Sequence, residues 1–177
     1  MSEIHYDKLR GMNDYQDDAD EEVPVSLNTP QMMEGLVTMA MNSPTGDFIE
    51  IGVWRGGTAS VLNQIAERQS RKLYLFDLFE SDNCLNVVRK FCPKAAIFKG
   101  KFPDSWPGGI DNIAFCLLDY HGPDGAEFLI KHMPDIFVKG GILLFSYVFH
   151  VHQTLPFMDY NFMLCNGTKY PYLARKD

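Results

Sequence analysis

Apolar positions in this chain alternate between two periodicities, and the alternation predicts its elements. Residues 1–24 carry no sustained apolar pattern, and Asp17, Asp18, Asp20, Glu21 and Glu22 lie close together. Such a charge run predicts a solvated acidic arm. Met32, Met33, Leu36, Val37 and Ala40 then recur at helical spacing behind Asn28, Thr29 and Pro30. This pattern predicts a helix starting at residue 28 or 29 and stopped by Ser43-Pro-Thr-Gly46. The run Asp47-Phe48-Ile49 predicts a strand, residues 59–66 a helix, and residues 72–79 a second buried strand.

Further along, a helix is expected around residues 82–91, a strand over 95–102 and a Pro- and Gly-rich loop over 103–109. Residues 112–119 are apolar up to Asp119, as in a strand buried on both faces. A helix near 125–137, a turn at Lys139-Gly-Gly141 and a strand over 142–147 follow. Residues 159–165 and 168–174 flank Asn166-Gly167, a strong hairpin signal. The expected fold is α/β: a doubly wound, mainly parallel, Rossmann-like sheet with a C-terminal antiparallel hairpin. Residues 25–177 would form one domain behind the arm of residues 1–24.

The chemistry concentrates at the first strand-to-helix turn, Glu50-Ile-Gly-Val-Trp-Arg-Gly-Gly-Thr58. Gly52 lets the chain turn sharply off the strand. Gly56 and Gly57 are expected to clear side chains from the helix start, leaving backbone N–H groups free to face a ligand. Dinucleotide sites use G-x-G-x-x-G against an anionic pyrophosphate. Here Trp54 stands where the second glycine of that fingerprint belongs, and Glu50 precedes Gly52. A carboxylate there suits a ligand with a cationic amine or sulfonium, and S-adenosylmethionine (SAM) is the leading candidate. Asp77 ends the next strand, at the spacing that lets a carboxylate reach both ribose hydroxyls. The alternative is that Glu50 and Asp77 only cap or pair at strand ends.

Composition narrows the partners. The 177 residues suffice for one domain, with 46% hydrophobic and 22% charged residues. A net charge of −7 argues against a nucleic-acid backbone as the main partner. No apolar stretch approaches the roughly 20 residues of a membrane span, and no signal-peptide pattern opens the chain, so a cytoplasmic location is expected. Cys84, Cys92, Cys116 and Cys165 lack any C-x-x-C or zinc-type spacing and are expected to be reduced and non-catalytic.

Residues 46–59, Tyr74-Leu-Phe-Asp77, Lys99-Gly-Lys-Phe-Pro-Asp-Ser-Trp-Pro107, Asp119 and Gly140-Gly141 together resemble the class I SAM-dependent methyltransferases. The nearer likeness is to the macrocin O-methyltransferase family, and it extends over residues 29–147. It implies SAM lying over Gly52 to Gly56, with its methionine part near Glu50 and Trp54 and its ribose on Asp77. Its adenine would sit near Leu78, Lys101 and Phe102, and Asp119 would border the site. Those enzymes look metal-dependent, with aspartates after the fourth strand and a paired Asp-Asp-Tyr after the fifth. This chain keeps Asp119 but has His121 two residues on, and reads Phe145-Ser146-Tyr147 at the fifth strand. One Asp and one Ser hydroxyl are a poor set for magnesium, so no metal site is expected.

His121, His150 and His152 follow the fourth and fifth strands, at the sheet end where open α/β sheets bind ligands. His121 and His150, with Asp119, are candidate catalytic groups, the histidines as general bases on an acceptor hydroxyl or amine. The bland reading is that they are ordinary loop histidines. Binding of a softer ion such as zinc by Asp119, His121 and His150 is a weaker option. The expected function is a metal-independent methyltransferase acting on a small-molecule hydroxyl or amine. The alternative is a SAM-binding protein without transferase activity. The resemblance also implies a shortened region after the fifth strand. With Phe157, Tyr160, Phe162, Tyr170 and Tyr172 near the hairpin, a homo-oligomer is expected.

Overall fold

The computed structural model describes residues 23–26, 28–120, 122–146, 161–164 and 171–175. Helix α1 spans Pro30–Asn42, and the side chain of its N-cap Thr29 accepts the Met32 N–H. Met33, Leu36, Val37 and Ala40 are its buried face, and Met32 is only partly buried. Then follow β1 (Asp47–Ile51), α2 (Gly57–Arg68), β2 (Leu73–Asp77), α3 (Asp82–Phe91), β3 (Ala96–Lys99), β4 (Ile113–Leu118), α4 (Pro123–Ile136) and β5 (Phe137–Phe145). Two short strands, β6 (Asn161–Leu164) and β7 (Pro171–Ala174), complete the described elements.

The strands form one sheet in the order β3-β2-β1-β4-β5-β7-β6. The first five are mutually parallel, β7 runs antiparallel to β5, and β6 antiparallel to β7. Alternation along each strand divides the core between the two faces. Phe48, Leu75, Phe115 and Leu117 pack with α1, α2 and α3, whereas Ile49, Ile51, Cys116 and Leu118 pack with α4. All six residues of β4 are buried, as a central parallel strand requires. Strand order reverses between β1 and β4, so the crevice beyond their carboxyl ends is where this architecture takes a ligand.

Three boundaries differ from the sequence expectation. β3 stops at Lys99 because Gly100 (φ 142°) turns the chain, which puts Lys101 and Phe102 in a loop. β5 starts at Phe137, and Lys139-Gly140-Gly141 lies inside it rather than in a turn. There the Gly140 N–H donates to Arg175 O, and the Arg175 N–H donates to Gly141 O. A Cβ on Gly141 would sit 2.7 Å from Ile113 O, so close strand packing explains that glycine better than turning does. α4 begins at Pro123, two residues early, with proline at a helix start where its missing N–H costs nothing. Asn166-Gly167 lies outside the described residues.

Cys92 and Cys116 are buried thiols, and burial pushes both up, away from thiolate chemistry. Cys165 lies outside the described residues. No described helix is long and apolar enough to cross a membrane.

Candidate functional site

The carboxyl ends of β1, β2 and β4 bring Glu50, Asp77 and Asp119 together. Glu50 pairs in register with Leu75 on one side and Leu117 on the other, and it is 1% exposed. Its Oε2 is buried and has no hydrogen-bond partner. Burial first, then the fields of Asp119 and Asp77, hold its carboxyl well above the usual range and favour the neutral form.

Gly52 turns the chain at the tip of β1 with φ 87°. Its N–H donates to Phe76 O, and a Cβ there would lie 1.9 Å from Asp119 O. The glycine is therefore required by β4 as well as by the turn. Trp54, half-buried, takes the left-handed conformation (φ 48°) usually left to glycine. Asp77 explains how that geometry persists. Its Oδ2 accepts the Val53 and Trp54 N–H groups at 2.7 and 2.9 Å, and its Oδ1 accepts Phe79 N–H at 2.7 Å. One carboxylate thus ties the glycine turn to the end of β2, a role that acid spacing alone did not reveal.

The helix start corrects the sequence expectation. Gly56 caps α2 in the left-handed region (φ 74°), and a Cβ there would meet Val88 Cγ2 of α3 at 2.8 Å. The Gly57 N–H donates to Val25 O at 3.1 Å, and a Cβ on Gly57 would lie 2.3 Å from that oxygen. Val25 and Ser26 are buried, and Asn28 Nδ2 reaches Thr58 Oγ1. The space cleared by Gly56 and Gly57 is thus filled by α3 and by the chain entering α1, and the Gly57 N–H is not free for a ligand. The doubled glycine was the available signal: a helix cap needs one, so the second implies a close neighbour.

On the far side of Asp77, Leu78 is 45% exposed, a large apolar side chain left at the rim. Phe102 is buried within an aromatic cluster, its ring 5.4 Å from Phe76, 6.0 Å from Trp106 and 5.4 Å from Phe128. It backs the wall of the site instead of standing open at it. Lys101 Nζ pairs with Asp124 Oδ2 at 2.8 Å in the first turn of α4. The Lys101 hydrogen bond holds the Asp124 carboxyl below its ordinary value, and burial, then Asp124, push the Tyr120 hydroxyl up. The pair joins the β3–β4 loop to α4.

At the tip of β4, Ser146 Oγ donates to Asp119 Oδ1 at 2.5 Å, and the Ser146 N–H bonds Leu118 O. Ser146 therefore orients Asp119. His121, His150, His152 and Tyr147 lie outside the described residues. Among the described residues no cluster of three His, Cys, Asp or Glu side chains could hold a metal ion.

A glycine turn at the switch point, an acid on each flanking strand tip and this strand order define the class I SAM-dependent methyltransferase fold. Within that class, residues 28–87 match the family model of the macrocin O-methyltransferases (TylF). The O-methyltransferase NovP superposes with a TM-score of 0.67 at 18% identity, covering 83% of this chain and 80% of its own. TomG of Streptomyces achromogenes, an O-methyltransferase of tomaymycin synthesis solved with SAM, gives 0.62 at 13% identity and covers 86% and 82%. CalS11, a TDP-rhamnose 3′-O-methyltransferase of calicheamicin biosynthesis, gives 0.61 at 16% and covers 82% and 77%. No curated protein sequence matches the chain.

Proposed function

We propose that the protein is a SAM-dependent methyltransferase that acts on a hydroxyl, or an amine, of a small molecule without a metal ion. The observation that carries the reading is Glu50, a fully buried carboxyl with an unpartnered oxygen beside the glycine turn. An orphaned buried acceptor is costly unless a ligand's donor meets it, and an ammonium group is such a donor. Glu50, Gly52, Trp54 and Gly56 would border the amino-acid part of SAM. Asp77 retains lone pairs for ribose hydroxyls, and the exposed Leu78, with Lys101 and with Phe102 behind it, offers a wall for adenine.

SAM supplies an electrophilic methyl on a positively charged sulfur. The chain's contribution is alignment, which can provide much of the rate when nucleophile and methyl are held in line. Asp119, held by Ser146, borders the acceptor side, with His121 and His150 as the candidate general bases. With Asp119 Oδ1 already accepting from Ser146, little remains for magnesium, which favours several oxygen ligands.

The test is turnover of labelled SAM against sugar and phenol hydroxyls, with and without a chelator. The sugar is the first choice because CalS11 methylates one. Transfer that survives chelation is expected. Loss on chelation with recovery by magnesium would overturn metal independence. SAM binding without transfer to any acceptor would favour a non-catalytic binder.

We further propose a cytoplasmic homo-oligomer. Among the described strands β6 ends the order of the sheet, and an edge strand is a site for pairing with a second copy. Light scattering after size exclusion should give a multiple of the 20.2 kDa chain mass. A single-chain mass at all concentrations would refute it.

A further inference from the structure

Among the three acids at the strand tips, Asp77 has both oxygens engaged by backbone N–H groups and Asp119 accepts from Ser146. Glu50 keeps a buried oxygen with no partner, between two buried leucines of β2 and β4. The titratable groups facing it are Asp77 from β2, Asp119 and Cys116 from β4, and Cys92 at the end of α3. None of them supplies positive charge. The ionisable residues of α2, Glu67 and Arg68, lie in its last turn, away from Gly52. Arg55 is buried in the β1–α2 turn, and what acts on Glu50 is burial first, then Asp119 and Asp77, all raising its pKa.

We propose that Glu50 is a proton-linked selector for cationic ligands, neutral in the free protein and ionised when an ammonium-bearing ligand docks at the glycine turn. The proton leaves for solvent, and the new carboxylate pairs with the ammonium, so the balance is one proton released per ligand bound. This rests on the reading of SAM and its product S-adenosylhomocysteine as ligands of the site. It gives the acid before Gly52 a second task. A neutral carboxyl spares the free protein a buried anion facing the half-buried Asp77 and Asp119, and the ligand's own charge restores the anion only when it is present. Linkage sets the sign. Binding lowers the Glu50 pKa, so protons are released between the bound-state and free-state values, and affinity rises with pH across that window and levels above it.

Calorimetry of S-adenosylhomocysteine binding across a pH series from about 5 to 8, in buffers of different ionisation enthalpy, counts the protons. Wild-type protein should release up to about one proton per ligand within the linkage window, and its affinity should climb by up to about tenfold per pH unit there. Glu50→Gln, close in shape and neutral, should release none and bind with no such pH dependence. 5′-Methylthioadenosine, which lacks the amino-acid part, should bind wild-type protein without proton release. Binding of S-adenosylhomocysteine with no net proton change at any pH would overturn this inference and leave the methyltransferase reading standing. So would equal release by the Glu50→Gln protein. No binding at all would overturn both.

Discussion

Gly52→Ala should cost about 4 kcal/mol or more of folding stability, enough to leave a domain of ordinary stability largely unfolded. Two penalties combine at this position. The backbone is in the left-handed region at φ 87°, and the added methyl would lie 1.9 Å from Asp119 O and 2.6 Å from Asp119 C. Neither obstacle is a flexible side chain. The Asp119 N–H donates to Ile51 O and the Gly52 N–H donates to Phe76 O, so three strands lock the tip in place. Gly108→Ala is the matched control, with φ 75° and, among the described residues, nothing within 4 Å of the added methyl. It should show only the left-handed cost of about 1–2 kcal/mol. Denaturant midpoints for the two variants separate collision from backbone strain. Equal losses would show that β1 and β4 do not approach so closely.

Asp77→Ala should destabilise the protein by about 2–4 kcal/mol with no ligand present, because the Val53, Trp54 and Phe79 N–H groups would lose their acceptor. Losses within one carboxylate's network do not add in full, so the total should fall short of three independent bonds. Trp54 and Phe79 both have positive φ, and both conformations depend on this anchor. Affinity for S-adenosylhomocysteine should fall as well, by about 1–3 kcal/mol, measured by calorimetry on the folded fraction. Asp77→Asn should lie between, since its single carbonyl oxygen can serve one side while its amide donors face N–H groups on the other. Unchanged stability without ligand would mean that Asp77 serves the ribose alone.

The strand–turn–helix order, both acids and the parallel core were legible because each rests on a local regularity. A strand buried on both faces must be apolar at every position, as residues 113–118 are. A carboxylate at the end of β2 is visible by spacing from Gly52. The helix start at Thr29-Pro30 is a matter of local hydrogen bonding and a fixed φ, and the cap forms there. These features follow from a residue and its near neighbours, and so the chain by itself determined them.

Other features required atoms far apart in sequence to meet. Gly57 reads as room for a ligand until the carbonyl of Val25, 32 positions earlier, is found accepting the Gly57 N–H. Phe102 reads as an open adenine contact until Phe76, Trp106 and Phe128 close around it. Lys139-Gly-Gly141 reads as a turn because glycine signals turning, whereas here β4 demands the space at Gly141 and Arg175 bonds the backbone of both glycines. The identity of the acid at position 50 was written in the chain. The upward push on its pKa was decided only by burial and by Asp77 and Asp119 gathering around it, because desolvation and charge repulsion depend on what the fold brings near, not on what lies next in sequence.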